Sequence, residues 1–212
     1  MSVNFNNLNS INIELEKFDN SKLLIVTKNQ KIEDIKLLYE KGYSFFGENR
    51  VQEAKKKYFQ IDFKKDIKLS LIGPIQSNKL IDALEIFDSI QSIDRIKIID
   101  LISKIKKNNK RILTKEFFLQ VNIGYEKQKS GFYLEEIEQI YKYSISLNLN
   151  IVGFMCIPPN NDNSAFYFQK MLEIRNKINP NLLLSMGMSN DYKIALQNKS
   201  DIVRVGSLIF NE

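Results

Sequence analysis

Short apolar runs alternate with amphipathic stretches along the whole chain. Leu23-Leu24-Ile25-Val26 reads as a buried strand, and Ile32, Ile35, Leu38 and Tyr39 then mark one helical face that Gly42 stops. Ser44-Phe45-Phe46 is the next strand, followed by a helix from Arg50 to Tyr58. Leu69-Ser70-Leu71-Ile72 is a third, ended by Gly73-Pro74, with Leu80, Ile81, Leu84 and Phe87 on its helix. Ser89-Ile90-Gln91 precedes a helix marked by Ile98, Leu101, Ile102 and Ile105, and Phe117–Val121 precedes one marked by Leu134, Ile137, Ile140 and Tyr141. The sixth strand is Ile151–Met155, with Phe168, Met171, Leu172 and Ile178 lining the helix after it. Leu182–Ser185 is the seventh, followed by a short helix over Tyr192–Leu196, and Ile202–Val205 is the eighth. Leu8, Ile11, Leu15 and Phe18 predict a further helix before all of these.

Short strands separated by helical crossovers form parallel sheets buried on both faces. Eight such units predict an α/β fold, a closed (β/α)8 TIM-type barrel rather than an open doubly wound sheet. The predicted N-terminal helix fills the slot where a helix after strand eight would pack. No repeat, linker or Pro/Gly/Ser-rich boundary interrupts the pattern, so residues 1–212 are expected to form one domain.

Composition narrows the chemistry. The chain has no histidine and one cysteine, Cys156. That excludes a Ser-His-Asp triad, His-based acid–base catalysis, a His-liganded zinc site and an internal disulfide. Proton transfer then falls to Lys, Tyr, Cys, carboxylates or a cofactor. No apolar run is long enough for a membrane span, and the polar start Met1–Asn7 lacks a secretory layout, so a cytoplasmic protein is expected. The net charge is +6. Its densest run, Lys104–Arg111, suits a solvated helix end better than nucleic acid, because no aromatic-basic interleaving accompanies it.

In a barrel the active site lies at the C-terminal strand ends, and the loops after strands seven and eight form the usual phosphate site. Here those loops are Gly187-Met188-Ser189 and Gly206-Ser207, where glycine allows close backbone approach and serine adds donors. Each alone is an ordinary turn; the pair at the two expected loops favours a phosphate cup. Lys28 closes strand one, where desolvation favours the neutral amine that Schiff-base chemistry needs, although one more surface lysine is the plain alternative. Arg204, on strand eight beside the cup, suits an ion pair, a phosphate clamp or a hydrogen bond to a cofactor ring nitrogen. Asn49 suits either a ligand contact or a helix cap. Cys156 reads as a small buried residue.

The ordered set of segments resembles the pyridoxal-phosphate homeostasis protein family, a single-barrel relative of the alanine racemase N-terminal domain. It comprises Ile25–Lys28, Phe46–Glu53, Leu71–Lys79, Gln120–Ile123, Lys129–Phe132, Gly153–Pro158, Leu184–Ser189 and Val203–Phe210. The resemblance implies pyridoxal 5′-phosphate as an aldimine on Lys28. It implies phosphate binding by Ser189, Gly206 and Ser207 with a Met188 backbone contact, Arg204 against the pyridine nitrogen and Asn49 near the ring. It implies a monomer that keeps the free aldehyde low and delivers cofactor to pyridoxal-phosphate-dependent enzymes, without robust turnover and without nucleic acid or membrane as partner. A low-activity amino-acid racemase is the alternative, and Tyr125 after strand five is the one barrel tyrosine that suggests itself as its second acid. The chain departs from the family pattern at Ser70 and Leu71, where members carry a histidine and an aromatic, at Asn29-Gln30-Lys31 after the lysine, and at Phe210-Asn211.

Overall fold

The computed structural model describes residues 3–108, 111–160 and 163–210. Eight strands close into one barrel in chain order: β1 (Lys22–Val26), β2 (Phe45–Glu48), β3 (Lys68–Leu71), β4 (Ser89–Ile93), β5 (Glu116–Val121), β6 (Ile151–Cys156), β7 (Leu183–Ser185) and β8 (Ile202–Val205). Every neighbouring pair is parallel, and β8 returns to β1 with Lys22 opposite Ile202 and Ile25 opposite Val205. The helices are α1 (Phe5–Leu15), α2 (Ile32–Glu40), α3 (Val51–Tyr58), α4 (Leu80–Ile86), α5 (Ile96–Asn108), α6 (Ile137–Ser146), α7 (Ser164–Ile178), α8 (Tyr192–Gln197) and α9 (Ser207–Phe210).

Alternation along each strand divides the apolar residues into two layers. Outward positions such as Ile25, Phe46, Leu69 and Phe117 join helix residues such as Leu38, Ala54, Leu84 and Ile102 in the main core. Inward positions form a smaller cluster of Leu24, Phe118, Met155 and Ile202, with Phe45, Ile72 and Leu183 packed on it. Burying each such side chain fully contributes about 1.5–3 kcal/mol. Above this plug the barrel turns polar: Ser70 and Ser89 pair through their hydroxyls at 2.6 Å, and Ser185 Oγ donates to Gln91 Oε1 at 2.6 Å.

The elements differ from the sequence pattern mainly at their ends. Leu134 falls in the turn before α6 and still packs on the core. Short 3₁₀ segments occupy Asp62–Asp66, which is kinked at Phe63, and Ser77–Lys79. The basic run ends α5 as expected, with Lys106 and Lys107 in the last turn and Lys106 Nζ over the Phe117 ring; Asn109 and Lys110 lie outside the described residues. A short helix, α9, follows β8, and α1 lies beside it rather than substituting for it. Asn4 N–H donates to Ile209 O at 2.7 Å and Asn7 Nδ2 to Leu208 O at 2.8 Å. Among the described residues, no helix is long and apolar enough to cross a membrane.

Candidate functional site

The C-terminal strand ends surround a cavity of about 720 Å3. Lys28, Asn49, Met188, Ser189, Arg204, Gly206 and Ser207 all line it. Val26, Ile72, Ile157, Pro158 and Pro159 supply apolar wall, and Lys129 and Asp191 add charge at the rim. Apolar walls with a few convergent polar groups are the usual composition of a small-molecule site.

One wall is built from the loops after β7 and β8. Ser207 Oγ donates to Ser189 Oγ at 2.8 Å, so the two hydroxyls meet. Gly187 makes the turn possible: its φ is +92°, and a Cβ there would sit 2.4 Å from Ala195 Cβ. Met188 differs from expectation. It lines the cavity, but its N–H donates to Asp191 Oδ1 at 2.7 Å, and its carbonyl accepts from Asp191 N–H and Tyr192 N–H. A phosphate contact to Met188 N–H would therefore compete with the Asp191 carboxylate. The sequence reading overlooked Asp191, although an Asp just before a helical stretch is an ordinary cap signal. Asp191 sits at the cap position of α8, yet its carboxylate turns back to Met188 instead of capping the helix.

Arg204 is 3% exposed and points inward from β8. Its two terminal nitrogens donate to Ser185 Oγ and to Cys156 O, both at 2.8 Å. Burial lowers its pKa, while Cys156 and Asp191 act the other way. Ser185 passes the contact on to Gln91, whose Nε2 is buried and has no hydrogen-bond partner. No carboxylate pairs directly with Arg204 in these bonds, which disfavours the simple ion-pair reading. Cys156 is packing material: burial pushes its thiol up to about 12, the Arg204 charge opposing.

Lys28 and Asn49 form the adjoining wall, because β1 pairs with β8 and β2 with β1. Lys28 lies two residues beyond β1 and is exposed in the mouth, so the desolvation expected at a buried strand end is not found. Asn49 follows β2. The cap position of α3 belongs to Arg50, which leaves Asn49 on the cavity rather than on the helix end. Gly73 lets the Asn49 backbone pass close by, since a Cβ on it would lie 2.3 Å from Asn49 O.

Behind this wall lies a charged network that the sequence reading missed. Glu48 is fully buried, and its Oε1 accepts from Thr27 Oγ1 at 2.7 Å and Lys57 Nζ at 2.9 Å. Burial raises the Glu48 pKa against the opposing pull of Lys57 and Thr27. Burial also acts upward on Glu53, but hydrogen bonds from Lys57 and Asn29 N–H and the Lys57 charge outweigh it, and the net direction is down. The available signal was the spacing of Glu53 and Lys57, four residues apart on one helix face.

Tyr125 is turned away from the cavity. Its hydroxyl donates to Glu135, its ring stacks on Tyr133 at 5.4 Å, and it is 47% exposed. Burial first, then Glu135, push its pKa up to about 12.

The sequence profile described as "Alanine racemase, N-terminal domain" matches residues 5–212. A pyridoxal phosphate homeostasis protein of Aquifex aeolicus is 35% identical over 204 residues, covering 91% of this chain and 87% of that one. One from Haemophilus influenzae is 37% identical over 201 residues, covering 89% and 84%. The solved structure of PipY from Synechococcus elongatus with PLP bound has a TM-score of 0.82 and 28% identity, covering 97% of this chain and 98% of that one. The alanine racemase of Acinetobacter baumannii, at 19% identity and TM-score 0.77, shares the fold over 61% of its own chain. This chain therefore belongs to the alanine racemase N-terminal domain family and, within it, to the pyridoxal phosphate homeostasis proteins.

Proposed function

We propose that this chain binds pyridoxal 5′-phosphate reversibly through Lys28 and serves intracellular homeostasis of that cofactor without robust catalytic turnover. The observation that carries the reading is one cavity lined by a primary amine at the end of β1 and by two convergent hydroxyls on the neighbouring loops after β7 and β8. Bound there, the cofactor supplies an aldehyde and an electron-accepting ring. Lys28 Nζ is the amine that would take up the aldehyde, the carbonyl oxygen leaving as water. Ser189, Ser207 and the Gly206 backbone would hold the phosphate, and Asn49 and Ile72 would flank the ring.

Arg204, buried at the floor of the cavity, would face the ring nitrogen. A guanidinium donates and does not accept, so a ring nitrogen beside it keeps its lone pair for that bond and the ring stays a weak electron sink. Two-base racemisation also needs a second acid within about 2.6–3.2 Å of the substrate. No tyrosine is among the described residues lining the cavity, and Tyr125 is engaged by Glu135. These points favour a holding role over the racemase alternative. The same reading makes the protein a cytoplasmic monomer that passes the cofactor to dependent enzymes.

The test is to load purified protein with pyridoxal 5′-phosphate and incubate it with L-alanine in deuterated water. An absorbance band that Lys28→Ala removes, with no D-isomer accumulating, is the expected result. Steady D-isomer formation that depends on Lys28 restores the racemase.

A further inference from the structure

Helix α3 grips the backbone on both sides of Lys28. Lys57 Nζ donates to the carbonyl of Thr27 at 2.6 Å, to Glu48 Oε1 at 2.9 Å, and pairs with Glu53 Oε1 at 2.6 Å. Three partners match the three hydrogens of an ammonium group. Glu53 Oε1 in turn accepts from the N–H of Asn29. Thr27 C=O belongs to the peptide before the Lys28 Cα, and Asn29 N–H to the peptide after it. One ion pair on one helix therefore restrains both peptide planes that set the Lys28 backbone angles and the direction in which its side chain leaves. The side chain of Thr27 is tied as well, to Glu48 Oε1 and to Tyr58 Oη at 2.9 Å. Asn29 completes the turn with φ +60°, a left-handed conformation that Asn tolerates better than most residues.

This arrangement is costly as a fastening for a helix. Lys57 is 9% exposed and Glu48 fully buried, and buried ion pairs are often matched in stability by well-packed apolar residues. The rest of α3 already has such residues, Val51, Ala54 and Tyr58, against the barrel. The charges are concentrated where the chain passes through Lys28.

We propose that Lys57 and Glu53 are positioning residues for Lys28: their ion pair clamps the two flanking peptides and aims the amine at the aldehyde, with Glu48 holding Lys57 in place. The proposal rests on Lys28 being the cofactor amine.

The experiment compares two readouts in purified full-length protein: the rate of covalent capture of pyridoxal 5′-phosphate, followed by absorbance, and the affinity for 4′-deoxypyridoxine 5′-phosphate, which has no aldehyde and cannot condense. Glu53→Ala, which removes the acceptor for Asn29 N–H, is expected to slow capture about tenfold with analogue affinity unchanged. Glu53→Gln keeps an acceptor and returns most of the rate. The double variant Glu48→Gln/Lys57→Met removes the buried charges together and is expected to behave like Glu53→Ala; if it does not fold, the Glu53 pair decides. Capture at the wild-type rate in Glu53→Ala, or loss of capture and analogue affinity in equal proportion, overturns the proposal. Failure of the underlying reading is separate: the wild type then gives no covalent band, or Lys28→Ala retains it.

Discussion

Two neighbouring walls of the cavity are built from different chemistry. The wall carrying Ser189 and Ser207 is neutral at the contact. Its shape comes from a left-handed glycine and two loop turns, and its hydroxyls bond each other. The wall carrying Lys28 is backed by charge, with Glu48, Lys57 and Glu53 linked through Thr27 and Asn29. A phosphate needs several donors within reach and tolerates small adjustments of each. A lysine that must meet one carbon atom needs its chain held in one direction, and a buried ionic network restrains direction better than hydroxyls on loops.

Breaking the ionic wall is expected to have the largest effect. Lys57→Met leaves Glu48 buried beside no cation and should cost about 3 kcal/mol of stability, because an uncompensated buried charge is left behind. The double variant Glu48→Gln/Lys57→Met should recover most of that loss. Urea melts of the three proteins measure it, and equal midpoints for both variants would contradict the assignment.

The neutral wall should respond in affinity and not in stability. Ser189→Ala and Ser207→Ala each remove one hydroxyl from a charged acceptor, a loss of about 1.5–3 kcal/mol of binding. Spectroscopic titration with pyridoxal 5′-phosphate should show weaker binding in each and an unaltered Lys28 linkage once the site is saturated. Undiminished affinity in the double serine variant would move the phosphate elsewhere.

The smallest effect separates the walls by pH. The folded state raises the Glu48 pKa above its ordinary 4.5, so the folded protein binds that proton more tightly than the unfolded chain. Stability from this group is then highest at low pH and falls as pH climbs from about 4.5 toward the raised value. Glu48→Gln lacks that slope, so the stability of the wild type relative to this variant should decline across the same window. The alanine variants of Ser189 and Ser207 should keep the wild-type profile.

The sequence revealed the barrel because its strands are short, apolar and regularly spaced, and because strand ends select the mouth. That is how Lys28, Asn49, Arg204, Ser189, Gly206 and Ser207 were found on separate strands and loops, and one cavity gathers them. The Lys57 network stayed hidden for a compositional reason. In a chain with 31 Lys and Arg, a buried lysine on a helix reads like its solvated neighbours Lys55 and Lys56. Glu48 read as part of a motif, with no sign that it turned outward to α3. The engagement of Met188 N–H by Asp191 depends on the left-handed turn at Gly187, a backbone detail no residue pattern encodes. The exposure of Lys28 follows from its place beyond the end of β1, where the strand pattern gives no depth.

The most direct test of the central claim is borohydride reduction of protein loaded with pyridoxal 5′-phosphate, followed by peptide mapping. Reduction converts the C=N bond to a stable amine and marks the lysine that formed it. The account predicts a single pyridoxyl mark on Lys28, absent from Lys28→Ala; a mark on Lys129 or another lysine at wild-type yield, with Lys28 unmodified, would contradict it.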